Sequence, residues 1–109
     1  MPRFLIEVDY SAAGTKGLLK EGGSKRRAAL EAALKSLGGK LEAFYFTYGI
    51  RDAITIAELP DGVSALALSM TVGASGSVAF KTTPLIEPEE LDRAAKKSVK
   101  YRPPGASAK

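Results

Sequence analysis

The stretch Phe44-Tyr45-Phe46-Thr47-Tyr48-Gly49-Ile50-Arg51-Asp52-Ala53-Ile54-Thr55-Ile56-Ala57-Glu58-Leu59-Pro60 constrains the chain more than any other. Two runs rich in aromatic and β-branched residues flank a short segment with one glycine. This predicts a β-hairpin with Gly49 in its turn, expected at positive φ. The strands are placed at 41–47 and 53–59. Side chains alternate along a strand. One parity set is therefore Leu41, Ala43, Tyr45 and Thr47, against Glu42, Phe44, Phe46 and Tyr48; the second strand sets Ile54, Ile56 and Glu58 against Ala53, Thr55, Ala57 and Leu59. Both faces are largely apolar. A sheet with one wet face alternates more cleanly than this, so a cover beyond the chain's own helices is expected. A chain of 109 residues is too short to supply a third layer, which makes a second copy of the same chain the expected partner.

The remaining segments supply strands and helices around this hairpin. Phe4, Ile6, Val8 and Tyr10 share one face of a first strand, with Leu5, Glu7 and Asp9 on the other. Ser11-Ala12-Ala13-Gly14 breaks the alternation, and Thr15 to Lys20 predicts only a short helical turn before Gly22-Gly23. Ser24 is the expected N-cap of a helix to Leu37, with Ala28, Leu30, Ala33, Leu34 and Leu37 at helical spacing and Gly38-Gly39 as its stop. Pro60-Asp61-Gly62 closes the hairpin and offers Asp61 as the cap of a helix to about Thr71. Gly73-Ala74-Ser75-Gly76 follows a helix rather than a strand, so it reads as an exit turn and not as part of a dinucleotide fingerprint. Ser77 to Ile86 reads as a fourth strand, with Pro84 marking a sheet edge. Pro88-Glu89-Glu90-Leu91 opens a final helix, with Pro in the first turn and acids at the positive end.

The order β-α-β-β-α-β plus a final helix defines an α+β, ferredoxin-like sandwich on a four-stranded antiparallel sheet. Residues 1–98 form one domain, consistent with the usual domain size of roughly 100–150 residues. Residues 99–109, with Pro103-Pro104-Gly105, are expected to be a basic, disordered tail.

Composition closes off much chemistry. There is no Cys and no His, which excludes disulfides, thiolate nucleophiles, a Ser-His-Asp triad and the usual transition-metal ligands. An oxygen-only Mg²⁺ or Ca²⁺ site stays open by composition, but no Asp-x-Asp-x-Asp loop is present, and no metal and no cofactor are expected. Acid–base catalysis would fall to a perturbed carboxylate, lysine or tyrosine. The start, Met1-Pro2-Arg3-Phe4-Leu5-Ile6-Glu7, lacks the apolar stretch of a signal peptide, and no run reaches the ~20 apolar residues of a membrane helix. A cytoplasmic protein without membrane partners is expected.

The net charge of +4 comes largely from Lys25-Arg26-Arg27 and from the segment Lys96 to Arg102 with Lys109. No zinc finger, RNP signature or GxxG clamp accompanies it, so nucleic acid is not an expected partner. Lys25, Arg26 and Arg27 sit at the positive end of a helix dipole, where cations are unfavourable. They are a candidate anion site, set against a plain solvated turn. For chemistry the candidates are Glu7, Tyr45, Tyr48, Asp52, Glu58 and Lys81. In a ferredoxin-like sheet the first strand lies between the third and fourth, so Glu7 could neighbour Glu58 or Lys81 and form a proton-transfer site. An ion pair at an interface is the simpler account. Asp52 beside Gly49 reads first as a turn-forming side chain.

The chain resembles the GYD domain proteins over roughly residues 3 to 97. The resemblance rests on the first strand ending in Tyr10, on Gly38-Gly39-Lys40-Leu41, on Phe44 to Gly49, on Asp52 to Asp61, on the glycines after the second helix and on Thr82-Thr83. The family's Gly-x-Tyr-Asp becomes Gly49-Ile50-Arg51-Asp52, so Gly49 and Asp52 carry over while Arg51 stands in the tyrosine position. The resemblance implies relation to the dimeric α+β barrels, with sheets facing across a two-fold axis and sometimes assembled into larger rings. It implies no single activity. The function expected is a non-catalytic assembly or small-ligand-binding module; the alternative is a cofactor-independent enzyme on a small hydrophobic substrate in the cleft between sheet and helices.

Overall fold

A computed structural model describes residues 1–106. Its element order is β1 (Arg3–Tyr10), α1 (Ala12–Glu21), α2 (Gly23–Ser36), β2 (Lys40–Phe46), β3 (Ala53–Glu58), α3 (Gly62–Ala74), β4 (Val78–Leu85) and α4 (Pro88–Ala95). The strands form one sheet in the order β2-β3-β1-β4, with every neighbouring pair antiparallel. This is the ferredoxin-like α+β architecture, with β1 central and β4, which carries Pro84, at an edge.

One face of the sheet is sealed by helices. Phe4, Ile6 and Val8 of β1 and Ala53 and Ala57 of β3 join Leu59, Leu30 and Leu34 of α2, and Ala65 and Leu68 of α3, in a single buried core. α2 packs on β2 and α3 on β4. Burying a Leu or Ile side chain contributes about 1.5–3 kcal/mol, so this face is the main source of the domain's stability. Thr55 lies inside it, completely buried, and its hydroxyl has no hydrogen-bond partner.

Three local readings are corrected. The short turn expected at Thr15–Lys20 is a full helix, α1, capped by Ser11, whose Oγ accepts from the Gly14 N–H at 3.2 Å. The strand does end before Ser11-Ala12-Ala13-Gly14, but Gly14 lies inside the helix: a Cβ at this position would stand 2.0 Å from the Ser77 carbonyl oxygen, so glycine lets α1 approach the start of β4. The next helix starts at Gly23 rather than after a Ser24 cap, and its cap is Gly22 at φ 88°. Gly49 is not among the residues with positive φ, so the β2–β3 connection does not draw on the conformation expected of its glycine. It is a six-residue loop closed by Thr47 N–H donating to the Asp52 carbonyl at 2.8 Å and by the Thr47 hydroxyl donating to the Arg51 carbonyl.

β2 carries a further irregularity. Leu41 pairs with Ala57 and Ala43 pairs with Ile56, which leaves Glu42 as the extra residue of a β-bulge. The bulge flips the parity, so Leu41 shares the helix-covered face with Phe44 rather than the open face with Ala43 and Tyr45. On β3 the parity holds as expected. Asp61 caps α3 as expected, accepting from the Ser64 N–H at 2.8 Å. These hydrogen bonds hold the Asp61 carboxyl below the usual carboxylate range.

From Thr83 to Gly105 every residue is exposed, and the chain measures 63 × 30 × 24 Å. Its radius of gyration is 17.9 Å, against about 13 Å for a compact domain of this length. The excess is the C-terminal arm, which leaves the body at Leu85. The tail expected to be disordered is described through Ala106 as an irregular segment ending in a turn, where Ala106 N–H donates to the Pro103 carbonyl at 3.1 Å. The rest of that tail lies outside the described residues.

Candidate functional site

The second face of the sheet carries the candidate residues. Cross-strand register sets them in rows. Tyr45, Ile54, Glu7 and Lys81 form one row from β2 to β4. Ala43, Ile56, Leu5 and Thr83 form the next. Lys40, Glu58, Arg3 and Leu85 form the third. Glu7 therefore faces Lys81 directly across the β1–β4 pair and faces Ile54 across β1–β3. Glu58 does not neighbour Glu7; it pairs with Arg3, two rows away, because β1 and β3 run antiparallel with Glu7 opposite Ile54.

Arg51 is the centre of this face. It reaches from the β2–β3 loop back over β1, donating from Nε to Glu7 Oε2 at 3.1 Å and from Nη1 to Asp9 Oδ2 at 3.2 Å. Its side chain is 25% exposed, with Glu7 at 29% and Asp9 at 37%. Arg51 thus bridges two carboxylates in a half-buried group, and Lys81, exposed at the register position opposite Glu7, supplies a second cation on the same row. The guanidinium's five donors in a planar fork suit this two-carboxylate bridge, which a lysine would make less well. Asp52, next in sequence, bonds to backbone instead. Its Oδ2 accepts from the Tyr10 N–H at 2.8 Å, and its own N–H donates to the Val8 carbonyl at 3.0 Å. Asp52 therefore splices the loop onto the end of β1. Arg51 and Asp52 together lock the loop against the central strand.

The other candidates stand apart. Tyr48 is fully exposed at the loop tip beside Ile50, and Tyr45 is 70% exposed on the open face near the β2 edge. Gly49 has free space around its Cα, so a side chain there meets nothing. A second ionic group closes the far end of the face: Arg3 donates from Nε to Glu42 Oε1 at 2.8 Å and from Nη1 to Glu87 Oε1 at 2.6 Å. The Arg3 hydrogen bond holds the Glu42 carboxyl below its usual range, and Glu42 in turn raises the Arg3 guanidinium.

At the start of α2, Arg26 lies 3.8 Å from Glu21 and Arg27 3.8 Å from Glu31, so two of the three candidate anion-binding cations already have carboxylates nearby. Lys25 is exposed. No group of three or more carboxylate, imidazole or thiol side chains able to hold a metal ion occurs among the described residues. No helix among them is long and apolar enough to cross a membrane.

Asp9 is the residue that the sequence reading passed over. Its signal was present, since it shares parity with Glu7, but its partner arrives from a loop.

A single antiparallel sheet in the order β2-β3-β1-β4 with α2 and α3 on one face defines the ferredoxin-like class. Within it, the GYD domain family model matches residues 4–95, and the chain belongs to the GYD domain family. No curated protein and no solved structure gives a significant match.

Proposed function

We propose that the protein is a cytoplasmic homo-oligomeric module whose open sheet faces pair across a two-fold axis, acting as a non-catalytic assembly or as the holder of a small ligand at that interface. One observation carries this reading: Leu5, Ile54, Ile56 and Tyr45 lie together on a sheet face that no element among the described residues covers, beside two carboxylates, Glu7 and Asp9, balanced in number by Arg51 and Lys81. An isologous contact is self-complementary, and a patch with compensated charge can meet its own copy without like-charge repulsion. The alternative reading, a cofactor-independent enzyme, calls for Tyr45, Tyr48 and a buried carboxylate around one cleft. Tyr48 stands in solvent and Tyr45 is mostly exposed. No observation favours that arrangement.

Solution mass by light scattering tests the proposal. The wild-type chain is expected to run as a dimer or a larger ring, and Ile56→Asp as a folded species of lower mass. A monomeric wild type overturns the assembly.

A further inference from the structure

We propose that residues 86–102 are an exchange arm, and that α4 of one copy packs into the groove between α3 and the β4 edge of a second copy of this chain. The inference rests on the homo-oligomeric reading above, but not on the pairing of the sheet faces.

The arm is built to dock, yet its ion pair to its own chain, Arg3–Glu87, leaves its apolar side chains exposed. α4 is eight residues long, opens with a proline in its first turn, and has a reciprocal capping box between Glu87 and Glu90. Caps set the helix but do not stabilise it alone, since helices below about 12–15 residues are marginal in water. Most helical stability comes from packing an amphipathic face. α4 buries no residue at all. Its charged side carries Glu89, Glu90, Asp92 and Arg93. On the apolar side and its flanks, Ile86 is 68% exposed, Leu91 65%, Val99 78% and Tyr101 73%.

The chain also holds an uncovered surface of matching character. α3 contains no charged residue, and helices apolar around their whole circumference are normally buried. Its inner side meets the core through Ala65 and Leu68, while Val63, Leu66 and Met70 remain 77%, 60% and 65% exposed. These three recur at i, i+3, i+7 spacing, the pattern of a stripe that receives another helix. Beside them runs a groove of 310 Å³ lined by Phe4, Ala65, Leu66, Ser69, Thr82 and Pro84.

The departure of the arm directs it to another copy. Glu87 is held by Arg3 at 2.6 Å, and Arg3 projects from the open face of the sheet, whereas α3 lies on the opposite face. Only Ile86 and Glu87 separate β4 from α4. Two linking residues give three Cα–Cα steps from Leu85 to Pro88, at most about 11 Å, barely the ~10 Å between packed layers, which leaves no length for the chain to reverse its direction. Seating α4 on its own α3 would break the Arg3–Glu87 pair and turn the chain around the β4 edge within that tether. A second copy receives the arm without either cost. Each chain offers one arm and one groove, so reciprocal exchange about a two-fold axis covers both apolar surfaces on both copies.

The absence of native cysteine makes the contact directly readable. Leu91→Cys and Leu66→Cys, both at exposed positions, are placed on separate co-expressed full-length chains and treated with a short bis-maleimide; folding is checked by circular dichroism. The expected result is a covalent dimer from this pair that is lost when Leu66→Cys is replaced by Leu19→Cys on α1. No covalent dimer, or one equally strong with Leu19→Cys, overturns the exchange. A cross-link formed only within one chain carrying both substitutions also overturns it, in favour of docking on its own groove. Coupling of Leu91→Cys to Ile54→Cys in place of Leu66→Cys overturns the assigned groove. If the chain is an oligomer by light scattering while these cross-links fail, the arm inference falls and the paired faces stand.

Discussion

On one side of the sheet Phe4, Ile6, Val8, Ala53 and Ala57 are at most 5% exposed, while on the other Leu5 and Ile56 are half-buried and Ile54 is 37% exposed. The same two strands supply both sets, one residue apart. The first face is completed by α2 and α3 and fixes the fold. The second is finished only in part, by Arg51 and Arg3, which bind down charges without hiding the apolar residues between them. On the proposed reading, stability and assembly fall to opposite parities of β1 and β3, and substitutions can address one without the other.

The largest effect is expected from the closed face. Leu34→Ala removes a fully buried side chain of α2 and should cost about 2–5 kcal/mol in urea unfolding, whereas Ile56→Asp on the open face should change solution mass far more than monomer stability. Equal losses of stability from both would break the contrast. Thr55→Val should move stability the other way: it keeps the shape while removing a buried hydroxyl without a partner, and a gain of about 1 kcal/mol is expected. A loss would mean that the hydroxyl is satisfied after all. Arg51→Ala should cost about 0.5–1 kcal/mol, and a double-mutant cycle with Glu7→Gln should assign part of that to their ion pair. Additive effects would show the bridge to be energetically idle.

The smallest effect is electrostatic. The folded carboxyls of Asp61 and Glu42 lie below their usual range, so between the two values the unfolded chain binds more protons than the folded one. Their contribution is present above about pH 4, where unfolded carboxylates ionise, and is lost as pH falls through the lower folded values. Asp61→Asn and Glu42→Gln should each flatten the acid limb of Tm against pH. An unchanged limb would remove these groups from the account.

The alternation of β1 and β3 made one face of the core legible in the sequence, and Pro84 marked the sheet edge. β2 was less legible because a bulge adds a residue that a period of two cannot register: Leu41 and Ala43 share parity in sequence and lie on opposite faces in the fold. α1 was foreshortened because Gly14 reads locally as a breaker, while its reason lies in the approach to Ser77, sixty-three residues away in the chain. The candidate site was legible as a set of residue types on shared faces. Glu7 and Lys81 do face one another, but Arg51 registered only as a departure from the family motif. Its contacts with Glu7 and Asp9 depend on a loop folding back over the sheet, which carries no periodic signal.

The bulge at Glu42 has a further consequence for how the molecule meets its neighbours. β2 is an edge strand, and Lys-Leu-Glu-Ala-Phe-Tyr-Phe is the kind of ribbon that invites another strand to add on. The extra residue breaks the even spacing of its free backbone groups, and Arg3 holds the added carboxylate in place. An approaching strand finds an interrupted ladder. Encounters along the edge are discouraged, while those onto the face remain open, and growth by strand addition is steered away from fibres.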